Sequence, residues 1–197
     1  MFVVKTTILA IVSLFFVLGA QLFAAMGVGP LQVNFIPEKA AYTPETFSIS
    51  NTGDKQIYVA LSLSKLTDFA HPEKIQAFDG KNPQKFGLLL EHNKLIVPAH
   101  QTRKVKLIAL AKPGKGDAIY YVNVVQIKPE LKALAQKKST QIAAGVQINF
   151  AYNVRVVLRP LNPQFSVSLE RAGKKLVIAN AGNTTGIIQA GKQCQDK

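Results

Sequence analysis

The chain has 197 residues, 24 Lys and Arg against 11 Asp and Glu, a formal net charge of +13, one cysteine and no tryptophan. A single cysteine excludes an internal disulfide framework. The lysines fall mainly in turns, without the aromatic interleaving or fold motif of a nucleic-acid binder. The positive excess suits solubility and attraction to acidic partners or anionic surfaces instead.

The first segment carries Lys5, an apolar run from Ile8 to Leu18, and the small residues Ala20, Ala24 and Ala25. That is the layout of a secretory signal: a cationic start, a short apolar centre and a small-residue cleavage region. The apolar run is shorter than the roughly 20 residues needed to span a bilayer. Residues 1–25 are therefore read as a signal peptide cleaved near Ala24 or Ala25, with Ala20 a second option and an uncleaved anchor the alternative. No cysteine stands near the cleavage region to carry a lipid. No second apolar segment of membrane length follows, so no stable membrane insertion is expected after cleavage.

From Leu31 onward the sequence reads as short strands broken by turn signals. Leu31–Ile36 alternates apolar and polar residues and Pro37 stops it. Thr46–Ser50 leads into Asn51-Thr52-Gly53-Asp54, a strong turn sequence, and Gln56–Leu63 resumes as a strand. Residues 67–83, with His71-Pro72, Asp79-Gly80 and Asn82-Pro83, read as a loop. Leu88–Pro98 reads as one broken strand, and Lys104–Leu110 alternates cleanly. The turn Pro113–Asp117 feeds the strand Ala118–Ile127. Lys128–Ala144, basic and rich in Gln and Ser, reads as a mobile connection.

Val146–Leu158 then alternates over an unusual length, with Val146, Ile148, Phe150, Tyr152, Val154, Val156 and Leu158 on one face. At about 3.3 Å per residue it would run roughly 40 Å, about twice the usual strand. Such a strand can outrun its own core, leaving a surplus apolar row. The second half could fill the home core unaided, which puts Val146, Ile148 and Phe150 at an exposed sheet edge. Arg155, on the opposite face shortly before Arg159 and Pro160, reads either as a solvated strand arginine or as a guanidinium in a corner, ready to pair with a carboxylate.

The fold class that this pattern predicts is all-β. Residues 26–160 form an immunoglobulin-like β-sandwich without the usual cysteine pair and tryptophan. After Pro160 the texture restarts with Phe165–Leu169, Gly173, Leu176–Ala179 and Asn180-Ala181-Gly182-Asn183, an echo of the unit at residues 46–54. Residues 161–197 are read as the start of a second, incomplete β-sandwich, too short to bury a core of that type.

Catalytic signatures are missing from the pattern, and the protein is read as a non-enzyme without cofactor or metal. His71, His92 and His100 have no metal-ligand spacing and fall in loop-like sequence. Cys194 lacks a cysteine partner or a neighbouring histidine, leaving a missing partner, an intermolecular bond or a free thiol. Pro113–Gly116 lacks the full phosphate-loop pattern and its helix. Asn183-Thr184-Thr185 matches a glycosylation acceptor, which matters only in a host that glycosylates.

Several of these segments resemble periplasmic pilus-assembly chaperones. Tyr120–Pro129 is similar to that family's aromatic–Asn–Ile–Pro strand. Val146–Pro160 is similar to its last first-domain strand, in which alternating apolar residues precede a basic residue, three apolar residues and Arg-Pro. Asn51-Thr52-Gly53 after a strand, and Val97-Pro98 before Gln101-Thr102-Arg103, fit the same pattern. The resemblance covers about residues 30–190. It implies two immunoglobulin-like domains and a periplasmic protein that caps pilus subunits by lending a β-strand, then delivers them to an outer-membrane usher. It implies donor residues Val146, Ile148, Phe150 and Tyr152. Arg155 falls at the cleft position that anchors the subunit's terminal carboxylate. Arg159 matches the interdomain arginine, with Asp117 its acidic partner. The family's other cleft arginine has no counterpart in Leu31–Ile36, so Arg155 would anchor alone. The alternative is an exported pilin or adhesin subunit with the same fold.

Overall fold

A computed structural model describes residues 26–127 and 151–186. The strands are β1 (Met26–Gly29), β2 (Gln32–Phe35), β3 (Pro37–Glu38), β4 (Ala41–Tyr42), β5 (Glu45–Asn51), β6 (Ile57–Leu66), β7 (Ile75–Ala77), β8 (Leu88–Leu90), β9 (Lys94–Val97), β10 (Thr102–Ala109), β11 (Ala118–Ile127), β12 (Ala151–Leu158), β13 (Val167–Ala172) and β14 (Lys175–Asn180). One helical turn, α1 (Pro83–Phe86), precedes β8. Among the described residues the first sheet runs β1-β5-β10-β8, and the second runs β2-β12-β11-β6-β7 with β9 also on β6. The all-β, immunoglobulin-like sandwich expected from the sequence is the fold found.

Period-two alternation builds the core. Phe47 and Ile49 of β5 and Val105 and Leu107 of β10 turn inward and are at most 1% exposed. Ser48 and Lys106 between them, and Thr46 before them, face outward. The second sheet answers with rows set by register: Leu63, Val122 and Val154 sit side by side on β6, β11 and β12. Each such buried aliphatic side chain contributes about 1.5–3 kcal/mol before the entropy of ordering it is charged. Val154, Val156 and Leu158 of β12 all belong to this core.

The chain's first strand is shared between the sheets. β1 pairs antiparallel with β5, while β2 runs parallel to β12, Arg155 opposite Gln32 and Leu158 opposite Phe35. Pro30, which has no N–H to give a ladder, falls at the crossover. Sequence pattern found β2 but not β1, because Met26-Gly27-Val28-Gly29 has no alternation to read.

The region from 67 to 98 departs from expectation. Within the expected loop, β7 pairs with the end of β6, and α1 starts at Pro83. The helical turn has Phe86 buried against Phe78 and Tyr120, with ring centroids 4.9 and 5.6 Å apart. The single broken strand at 88–98 is two strands in different sheets: β8 pairs with β10, and β9 pairs with β6. The chain crosses the sandwich at Glu91–Asn93, and an apolar run at both ends of a crossover looks like one interrupted strand.

β13 and β14 form a separate antiparallel hairpin around Gly173, at φ 62°, with every strand residue exposed. One hydrogen-bond device appears in both halves of the chain. Asn51 Oδ1 accepts from Gly53 N at 3.0 Å while its Nδ2 donates to Lys55 O at 2.8 Å. Asn180 Oδ1 accepts from Gly182 N at 3.0 Å and its Nδ2 donates to Thr184 O at 2.8 Å. The signal peptide reading, the connection 128–144, donor residues Val146, Ile148 and Phe150, and Cys194 lie outside the described residues.

Candidate binding site at the end of strand β12

Strand β12 has two different edges along its length. Arg155–Leu158 lies between β11 and β2, but among the described residues Ala151–Val154 pairs with β11 alone. Among the described residues its first half is therefore a sheet edge, with Ala151 and Asn153 exposed. Tyr152 faces the home core from that edge and its phenol donates to Met26 O at 2.7 Å.

The outer face of β12 carries Asn153, Arg155 and Val157. Arg155 stands opposite Tyr121, and its backbone N–H donates to Leu31 O at 2.9 Å, fixing the strand where β2 joins it. Val157 and its cross-strand partner Ile119 are buried at 0% and 3% although they face away from the sandwich core. That burial marks the end of the outer face as a junction.

Arg159 follows the strand. Its backbone N–H donates to Phe35 O at 3.0 Å, and its carbonyl accepts from the Tyr42 hydroxyl at 2.7 Å. Its side chain is directed at Asp117, the residue before β11, whose side chain is 1% exposed against 18% for the arginine; Nη1 lies 2.7 Å from Asp117 Oδ2. The tyrosine's pKa is raised, first by burial and then by the negative charge of Asp117.

Thr185, which the sequence shows only as part of a glycosylation triplet, joins Arg155, Arg159 and Asp117. Its N–H and its hydroxyl both reach Asp117 Oδ2, at 2.6 and 2.8 Å. Its carbonyl accepts from Arg159 Nη1 at 3.2 Å, and its hydroxyl oxygen accepts from Arg155 Nη2 at 3.1 Å. Two buried atoms have no hydrogen-bond partner among the described residues: Asp117 Oδ1 and Arg155 Nε. The segment that follows β14 is held in place by Asn183, whose Nδ2 donates to Lys115 O at 2.9 Å and Asn162 O at 3.0 Å. No periodicity marks Thr185; only its nearness to the Asn-x-Gly turn could have drawn attention to it.

Beside this corner, Asn34, Ile36, Pro37, Arg159, Leu161 and Phe165 line much of an open groove of about 400 Å³. Arg155, Arg159 and Asp117 are thus brought together, while Tyr152 stands three residues up the strand. The histidines take no part: His71 meets Glu73 at 3.2 Å and His100 meets Asp54 at 3.0 Å, both on the exposed surface. Among the described residues no group of three or more His, Cys, Asp or Glu could hold a metal ion. No helix in them is long and apolar enough to cross a membrane.

A two-sheet sandwich whose first strand crosses between sheets and ends parallel to the last is the fold class defined here. Neither a family model nor a curated protein matches the chain. Among solved structures, fimbrial chaperones share this fold. The class 5 fimbriae chaperone CfaA superposes with a TM-score of 0.58 at 18% identity, over 80% of this chain and 67% of that one. A Salmonella enterica complex of SafA pilin with the SafB chaperone gives 0.58 at 14% identity, over 84% and 72%. The E. coli chaperone DraB gives 0.55 at 15%, over 81% and 69%. The resemblance drawn from sequence motifs is thereby matched in the fold.

Proposed function

We propose that this protein is a periplasmic chaperone of the chaperone–usher type, which caps fimbrial subunits by donating a β-strand and passes them to an outer-membrane usher. The observation that carries this reading is the half-open strand β12. Its paired half completes the home core with Val154, Val156 and Leu158, while Ala151–Val154 is, among the described residues, a sheet edge continuous in sequence with the apolar row Phe150, Ile148 and Val146. An unpaired edge leading into an alternating apolar row is what β-strand addition requires: backbone pairing gives affinity and alternate side chains fill a groove.

Arg155 supports the reading. It lies on the same strand, with Nη2 donating to Thr185 and its buried Nε without a partner among the described residues. A guanidinium with spare donors in a partly desolvated corner suits a carboxylate, which it can bind bidentately. In this role it takes the subunit's terminal carboxylate and sets the register of the added strand. Arg159 and Asp117 hold the junction between residues 26–160 and the unit that begins after Pro160. Binding rather than catalysis is the activity, and no cofactor is required.

The test is recovery of a subunit–chaperone complex from periplasmic extract after co-expression with a fimbrial subunit. Arg155→Ala should abolish that recovery while the chaperone itself accumulates normally. Undiminished recovery would sink the assignment.

A further inference from the structure

We infer that Thr185 is a positioning residue for Arg155: its hydroxyl aims the guanidinium at an incoming carboxylate and makes that aim depend on the segment after β14. The inference rests on the reading of Arg155 as a carboxylate anchor. A lone arginine on a strand face has many rotamers, and ordering it costs side-chain entropy. A pre-aimed guanidinium loses less of this on binding, which is the general benefit of preorganisation.

The geometry is specific. Thr185 Oγ1 accepts from Arg155 Nη2 at 3.1 Å, and the same hydroxyl donates to Asp117 Oδ2 at 2.8 Å. The direction of the donation is settled by chemistry: an ionised carboxylate only accepts, so the hydroxyl proton goes to Asp117 and its lone pair faces Arg155. Asp117 is in turn fixed by Arg159 at 2.7 Å and by the Thr185 N–H at 2.6 Å. The buried ion pair therefore orients the hydroxyl, and the hydroxyl orients the second arginine. One Nη2 hydrogen of Arg155 is committed inward to Thr185, which leaves its other Nη2 hydrogen and the Nη1 hydrogens for a carboxylate, while the buried Nε has no partner among the described residues.

The docked position of Thr185 depends on close backbone approach. Ala181 N donates to Ser166 O at 2.8 Å and Asn183 N to Gln164 O at 3.1 Å. A Cβ on Gly182 would run into the Gln164 carbonyl oxygen. Residues 162–166 and 181–186 thus clamp each other, and the clamp carries Thr185 to the foot of β12. Chain on either side of Pro160 thereby shares one anchor.

The experiment measures the affinity of the purified chain for a synthetic peptide of alternating apolar residues ending in a free carboxylate, and for the same peptide amidated. The ratio of the two dissociation constants isolates the carboxylate contact. Wild type should prefer the acid about tenfold or more, as expected for a hydrogen-bonded charge pair, and Arg155→Ala should lose the preference. Thr185→Val keeps the shape and both backbone contacts but removes the hydroxyl; it should cut the preference to within about threefold of unity. Thr185→Ser should restore it. A Thr185→Val protein that keeps the full preference overturns the positioning role while leaving the anchor reading intact. Loss of the preference in Thr185→Ser as well as Thr185→Val also overturns it, because the hydroxyl would not be the operative group. Absence of any acid preference in the wild type defeats the anchor reading itself, and the positioning role with it.

Discussion

Replacing Asp117 by Ala tests whether the junction is held by a buried charge pair. The carboxylate is 1% exposed and its Oδ2 accepts from Arg159 Nη1 and from both the N–H and the hydroxyl of Thr185. Removing it strands the Arg159 guanidinium, which is 18% exposed and retains only the Thr185 carbonyl at 3.2 Å among these contacts. Breaking a buried pair by removing one partner costs about 3–5 kcal/mol. The residual exposure and the remaining carbonyl place this case near the lower end, about 3 kcal/mol. With a urea m-value of about 2 kcal/mol/M, the midpoint should fall by about 1.5 M. Arg159→Ala should cost a similar amount, because it leaves a nearly inaccessible carboxylate facing Thr185 alone. The double variant should then cost well under the sum of the two, with a coupling of about 2 kcal/mol. Raising NaCl to about 0.5 M should change that coupling little, since screening acts weakly on buried charges. Additive single effects, agreeing within about 0.5 kcal/mol, would refute the reasoning.

Asn51→Ala should cost about 2–3 kcal/mol in chemical denaturation, because the buried amide serves the carbonyls of Lys55, Val97 and Pro98 and the N–H of Gly53; an effect below about 0.5 kcal/mol would contradict this. Tyr120 gives a pH prediction. Burial, and then the charge of Tyr42, push its pKa from 10.0 up to about 12, and its neutral hydroxyl donates to Phe86 O at 2.8 Å. The folded state thus holds a proton that the unfolded chain releases, so stability is complete below pH 10.0 and falls between 10.0 and about 12. The loss should approach about 1.4 kcal/mol per pH unit and be markedly smaller in Tyr120→Phe, with an unchanged slope counting against it. Gly182→Ala should push the 181–186 segment away from Gln164 and weaken acid-terminated peptide binding as Thr185→Val does; amide exchange at Asn183, whose N–H bonds Gln164 O, should speed up in parallel.

The parts of this fold legible in sequence are those governed by a period of two. The sequence pattern gives β11 residue for residue as Ala118–Ile127, and β5, β6 and β10 to within a few residues. Their inward positions alternate without interruption, because each belongs to one sheet throughout. Legibility ends where the chain changes sheets. β1 is too rich in glycine to show a face, and β8 and β9 merge into one apolar run because each supplies the same core from an opposite side. α1 is set by Pro83 and by the docking of Phe86 on Tyr120, a tertiary contact with no local pattern.

The corner at the end of β12 divides in the same way. Arg155 stands out by its place on the polar face of the strand, whereas Arg159 and Asp117 are singled out only by the resemblance to pilus-assembly chaperones. Thr185 shows in the sequence only as part of a glycosylation triplet, since its role here comes from a backbone clamp between Gln164 and Gly182 that period and composition do not record. Yet Thr185 is the residue that turns two arginines and an aspartate into a connected set: its carbonyl and N–H hold the Arg159–Asp117 pair, and its hydroxyl reaches Arg155. On the proposed reading, with the strand edge on one side of Pro160 and Thr185 on the other, binding would be tied to the joint between them. Loosening the joint should therefore weaken the carboxylate contact before it exposes the sandwich core, because Val154, Val156 and Leu158 are secured by β11 and the facing sheet, and not by Thr185.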